Sequence, residues 1–124
     1  MSETPRRFPA SVYREGDEPD PRFSLANERT FLAWVRTALA LMAGGVALEA
    51  LELPENTGFR LAAALIFVLL GLLAAVHAWL SWARTERALR RSSALPAPAT
   101  ALIIVVGVVV AVGLVLAGFV LELR

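Results

Sequence analysis

Three apolar runs, each long enough to cross a bilayer, leave this chain few ways to fold. The last is the most restrictive: from Ala99 to Leu121 there is no charged residue. An apolar run of roughly 20 residues or more reads as a membrane span rather than a segment of a soluble core. The second run goes from Phe59 to Trp82, and the first from about Phe31 to Leu53, after which Pro54-Glu55-Asn56-Thr57-Gly58 reads as a turn. Composition agrees, with 57% hydrophobic residues and a mean hydropathy of +0.63; soluble domains stay near about 45–50% apolar. The expected fold class is therefore an all-α integral membrane protein. Three transmembrane helices, spanning about residues 31–53, 59–82 and 99–121, fall within one domain, 21–124.

Such a chain excludes several kinds of chemistry. Cysteine is absent, so disulfides, thiolate metal sites and cysteine nucleophiles are ruled out. One histidine, His77, gives no multi-histidine metal site within one protomer. Three spans leave no room for a soluble catalytic domain, and only His77 and Glu28 offer acid–base groups near the membrane. The expectation is a protein that is not an enzyme and carries no cofactor or metal.

Residues 1–20 hold Pro5, Pro9 and Pro19, five acids and three arginines, and read as a flexible cytosolic tail. A docking tail is the other use of such a segment. No signal peptide is legible in it, and the first span is long enough to act as its own anchor. Asp20-Pro21 is a helix start, with Asp as N-cap and Pro at the first helical position; Ser24 is a second candidate. The segment Arg84–Arg91 continues the second helix beyond the membrane, and Ser92–Pro98, with Pro96 and Pro98, breaks it.

All twelve basic residues are arginine. Arg6, Arg7, Arg14, Arg22 and Arg29 precede the first span, and Arg84, Arg87, Arg90 and Arg91 lie between the second and third. The first loop has only Arg60, against Glu49, Glu52 and Glu55, and the C-terminus only Arg124. The positive-inside rule then puts the N-terminus in the cytoplasm and the C-terminus outside. Phe31, Trp34, Trp79 and Trp82 form an aromatic belt at the inner interface, with Phe59 and Phe119 near the outer one.

Arg22, Arg29 and Arg36 are seven residues apart and drift only about 20° per step, so they make one stripe on the first helix. Ala33, Ala40, Ala43 and Ala47 continue it. Such a small-residue face suits close helix packing within or between protomers, and Gly44-Gly45 adds to it; alternatively the stripe faces a water-filled axis. Arg36 sits about 7–8 Å below Phe31. It either snorkels to lipid phosphate or faces protein and holds an anion. His77, Ser81, Arg84 and Arg91 share a face of the second helix, and a polar layer of Arg36, Thr37, His77 and Ser81 is expected. Glu28 is expected to form a structural salt bridge to an arginine at the end of the second helix. Surplus arginines favour anions such as lipid head groups or a polyanion. Glu49 and Glu52 lie off the stripe and would give an oligomer an acidic outer collar. The third helix offers small-residue packing at Gly107-xxx-Ala111 and Gly113-xxx-Ala117 and no chemistry.

The stretch Asn27-Glu28-Arg29-Thr30-Phe31-Leu32-Ala33-Trp34-Val35-Arg36-Thr37-Ala38-Leu39-Ala40-Leu41, with Glu86-Arg87-Ala88-Leu89-Arg90, resembles the YidH-like family. Its members are small three-helix bacterial inner-membrane proteins, catalogued as a domain of unknown function. The family is similar to the membrane part of the eukaryotic vacuolar transporter chaperone complex, which makes polyphosphate and passes it across a membrane. That resemblance implies a homo-oligomer, a pentamer by analogy, with Arg29, Arg22 and Arg84 or Arg87 along an anion path. The chain carries neither the polymerase nor the phosphate-sensing domain of that complex, so synthesis is not implied. Two functions follow as expectations. One is a homo-oligomeric inner-membrane assembly that binds or conducts anions or polyphosphate. The other is a non-conducting scaffold or accessory subunit whose arginines anchor anionic lipids. Neither involves nucleic acid.

Overall fold

The computed structural model describes residues 7–96 and 99–124. Among these residues four helices follow one another: α1 (Ala10–Tyr13), α2 (Pro21–Ala50), α3 (Thr57–Arg91) and α4 (Ala99–Glu122). The last three are long and apolar enough to cross a membrane, as their sequences require. At about 1.5 Å per residue, the 35 residues of α3 are over 50 Å long. Its last turns therefore project about 13 Å beyond Trp82.

Local chemistry sets the helix ends. The Asp20 side chain accepts from the Arg22 backbone N–H, with Pro21 in the first turn, which is the expected start of α2. Asn56 caps α3 by accepting from the Phe59 N–H. Both α2 and α3 close in the same way. Leu53 N–H donates to the Leu48 carbonyl and Glu52 N–H to Glu49, with Glu52 left-handed at φ 53°. Ser93 N–H donates to Ala88 and Ser92 N–H to Leu89, with Ser92 likewise at φ 53°. These are Schellman ends made without glycine. So α3 stops at a hydrogen-bonded cap ahead of the prolines expected to break it; Pro98 lies outside the described residues.

The central element is α3. It packs along α2 on one side and α4 on the other, and among the described residues the backbones of α2 and α4 do not meet. Small residues set the α2–α3 distance. A Cβ on Gly71 would stand 2.8 Å from the Ala38 carbonyl oxygen, and one on Gly45 would stand 2.7 Å from that of Ala64. Lipid gives helices no hydrophobic reason to associate, so such close approach supplies the contact energy. Ala38, Leu70, Ala74 and Ile104 form the buried centre, with Trp34, Met42 and Val108 against them. On α4, Ile104, Ala111 and Gly118 make the buried stripe. The outward leucines and valines of α3 and α4 are exposed, as a lipid-facing surface requires.

The first correction concerns the tail. Residues 1–6 lie outside the described residues, but residues 7–20 are not free. Val12 is fully buried. The Asp17 N–H donates to the Arg90 carbonyl at 3.0 Å. Arg90, 5% exposed, donates to the carbonyls of Tyr13 (3.0 Å) and Glu15 (2.7 Å) and to the Glu18 carboxylate. Arg91 pairs with Glu15, and Arg7 with Glu18. Two of the acids that made this segment look disordered, Glu15 and Glu18, are partners of the projecting end of α3.

Candidate functional site

The polar residues gather where α2 begins and α3 ends. About 100° separates successive residues around a helix. Measured from Asn27, the buried residues Ala38 and Gly45 of α2 lie within about 20°, and this is the seam with α3. Asn27 is 7% exposed and Glu86 of α3 only 3%. The Glu86 carboxylate accepts from Ser24 Oγ at 2.7 Å and from Asn27 Nδ2 at 3.1 Å, and the same amide donates to the Trp82 carbonyl at 3.1 Å. A buried carboxylate needs such donors, and here both come from the partner helix.

This network corrects the role given to Glu28. Glu28 is exposed and, among the described residues, makes no ion pair. It stands about 100° around α2 from Asn27, off the seam. The helices are fastened instead by Glu86 with Ser24 and Asn27. The usable signal was the three-residue spacing of Ser24 and Asn27 in line with Ala38 and Gly45.

The expected polar layer separates into three places. His77 packs edge-on to Trp34 with ring centroids 4.5 Å apart. With Ser81, Arg84, Thr85, Asn27 and Thr30 it lines a cleft of ≈ 430 Å³, closed by Leu95 and Pro96 ahead of α4. Thr37 lies deeper, in a groove of ≈ 320 Å³ between α2 and α4; its hydroxyl donates to the Ala33 carbonyl at 3.1 Å. Arg36 is elsewhere: it is exposed and roughly 180° around α2 from Asn27, turned away from α3 and from His77.

Arg22 and Arg29 share the outward face of Arg36, and all three are exposed. Arg22 is bound locally to Asp20 at 2.9 Å. That guanidinium, and then the Arg22 backbone N–H, hold the Asp20 carboxyl below its usual range. Ala33, Ala40, Ala43 and Ala47 are exposed on the same side. The packing inside the chain uses Ala38 and Gly45 instead, and a Cβ on Gly44 would meet nothing within 4 Å. At the other end of α3, Arg84 is exposed and Arg87 half-buried, and both border a second hollow that contains Arg91.

The aromatic belt is also divided. Trp79 and Trp82 stand 5.3 Å apart, Phe31 packs on Trp82, and Phe8 and Tyr13 of the N-terminal segment cover them at 6.3 and 6.1 Å. Trp34 joins His77 instead. At the opposite end, Glu49 accepts from Arg60 Nε at 3.3 Å, so it braces the α2–α3 loop instead of facing outward with Glu52. Glu122 accepts from the Asn56 N–H at 3.2 Å and from Glu55, tying α4 to that loop.

Three membrane-capable helices in two packed hairpins, with a docked basic end and a buried Asn–Glu fastening, define a small multi-pass membrane protein. Residues 22–88 match the family described as Domain of unknown function (DUF202). The chain is 44% identical over 110 residues to Inner membrane protein YidH of Escherichia coli, covering 85% of this chain and 96% of that one. It is 46% identical over 106 residues to Uncharacterized protein Rv2272 of Mycobacterium tuberculosis, covering 81% and 86%. No solved structure matches. The chain belongs to the DUF202 family, as the motif at Asn27–Leu41 implied, and is a multi-pass inner-membrane protein.

Proposed function

We propose that this protein is one subunit of a homo-oligomeric inner-membrane assembly that binds and conducts anions, phosphate chains among them, along the arginine stripe of α2. One observation carries the reading: Arg22, Arg29 and Arg36, with the alanines that continue them, are exposed on the face opposite the α3 seam. An arginine about 7–8 Å inside the bilayer costs less than the ~2.5–3.5 kcal/mol of a central one, but still favours protein or water over lipid. None of the described residues covers Arg36, and a second copy would. Small residues beyond it permit close approach of that copy. The resemblance to the vacuolar complex supplies five as the expected number. The N-terminus is placed in the cytoplasm by the arginine count, and no enzymatic step is invoked.

Because the chain has no cysteine, single cysteines give a clean test. A40C or A47C should cross-link between copies in membranes, and L65C on the outer face of α3 should not. Reconstituted protein should pass anions, less so when Arg29 and Arg36 become Ala. An intact oligomer without flux sinks conduction; absence of cross-links at both alanines sinks the assembly.

A second reading, a non-conducting scaffold that anchors anionic lipids, is favoured by a different observation. Arg84 opens onto a cleft that no acid lines among the described residues.

A further inference from the structure

The cleft beside His77 and the groove between α2 and α4 adjoin each other. Thr30 and Trp34 line both. The cleft is polar at the rim, where Arg84, Ser81, Thr85 and Thr100 stand, and aromatic at its floor, where Trp34 meets His77. Below the floor the groove is lined by Ala33, Ala101, Ile104 and Val105, with Thr30 and Thr37 along its α2 edge. From Thr30 to Thr37 it runs about 10 Å along α2. It exists because α2 and α4 each pack on α3 and not on each other.

Charge at the rim has one sign. Among the described residues no acid lines the cleft, and the neighbouring hollow, which shares Arg84 and Pro96 with it, adds Arg87 and Arg91. Arg91 is satisfied by Glu15. Arg84 makes no ion pair among the described residues. The nearest buried carboxylate, Glu86, is turned to Ser24 and Asn27 on the seam.

We propose that this space is a binding site for one membrane lipid with an anionic, phosphate-containing head group. The head group sits on Arg84 among the cleft hydroxyls, and one acyl chain lies in the α2–α4 groove. The groove opens to the hydrocarbon, so a chain occupies it whatever the lipid. Apolar contact does not choose among head-group classes, because lipids of each class carry apolar acyl chains. Selection falls to the head group, where an arginine without a counter-ion and away from the outer α2 stripe favours negative charge. The site gives the second reading a specific location and rests on it.

Trp34 reports directly on the junction. In W79F/W82F protein it is the sole tryptophan. The full chain is reconstituted in phosphatidylcholine vesicles, and brominated phosphatidylglycerol or brominated phosphatidylcholine is added at equal mole fraction. The anionic quencher should be about fivefold more effective per mole, the size expected of one arginine near the surface. R84Q should bring the ratio to one, whereas R14Q, which removes the same charge from the N-terminal segment, should leave it unchanged. A101F, which fills the groove, should lower quenching by both lipids. Should R84Q lose helical circular dichroism, S81L at the cleft wall takes its place. Equal quenching by the two lipids, or a preference that survives R84Q, overturns the site. Loss of the preference on adding millimolar inorganic phosphate overturns the lipid in favour of a soluble anion. Anionic lipid that still co-purifies without a Trp34 preference refutes the cleft and leaves the scaffold reading standing. Absence of co-purifying anionic lipid refutes both.

Discussion

The two faces of α2 carry similar kinds of residue and meet opposite fates. The inner face has Ser24, Asn27, Ala38 and Gly45, and α3 covers it. The outer face has Arg22, Arg29, Arg36, Ala40, Ala43 and Ala47, and none of the described residues covers it. Both are polar near the arginine-rich end and small farther along. The difference is that the inner face finds its polar complement, Glu86, within the same chain. On the outer face Arg22 is paired locally with Asp20, whereas Arg29 and Arg36 make no ion pair among the described residues and are open to another copy, to anions or to lipid. A small-residue stripe therefore says that something approaches closely; the polar residues beside it say whether that partner is internal.

The sharpest test of the comparison is to add volume to each face. Gly71→Val forces a Cβ to within 2.8 Å of the Ala38 carbonyl oxygen. It should cost about 3 kcal/mol in unfolding from mild detergent, at the upper end of ordinary overpacking. Gly44→Ala enters open space and should be neutral or gain about 0.5 kcal/mol from helix propensity. Equal losses at both would mean that the seam is wrongly placed. Next in size is the carboxylate pair. Glu86→Ala strands the Asn27 amide and should cost about 2 kcal/mol, while Glu28→Ala should stay within about 0.5 kcal/mol. A reversal would restore Glu28 as the fastening residue.

Arg36→Ala should also leave the subunit within about 0.5 kcal/mol of the parent, yet weaken cross-linking at A40C if the outer face meets a second copy. A loss of subunit stability instead would show that Arg36 serves the fold. The smallest effect concerns pH. Arg22 holds the native Asp20 carboxyl below its ordinary value of 3.8. Its capping contribution is therefore fully present above about that pH and is lost as pH falls through the lower native value. The Arg22 amide resonance should be constant from about pH 5 to 8 and shift only in stronger acid. A shift near neutrality would exclude Asp20 as its cause.

Much of the helical frame was legible before any coordinates. Asp20-Pro21 starts α2, the turn after Leu53 separates the first two spans, and Arg84–Arg91 continues α3 past Trp82, all as read from caps and composition. The site was legible in part. His77, Ser81 and Arg84 do share one cleft, as their spacing on α3 requires. Arg36 does not join them, because depth along a helix can be read from residue number whereas rotation about its axis depends on what it packs against. The N-terminal segment was misjudged for a related reason. Glu15 and Glu18 count as disorder in a composition and as ion-pair partners once Arg90 and Arg91 are brought beside them.

The amino-acid sequence by itself determined that three helices lie in a membrane, in what order, and where two of them begin. Span length, charge-free runs and capping residues are local properties, and they suffice for this. Only the tertiary structure decided which side of α2 is the seam, that Glu86 and not Glu28 fastens it, and that residues 7–20 strap the end of α3. In lipid, packed and lipid-facing surfaces are both apolar, so hydrophobic periodicity does not orient a helix. Close backbone approach at Gly45 and Gly71 and the buried Asn27–Glu86 contact orient this one, and these join residues far apart in the chain.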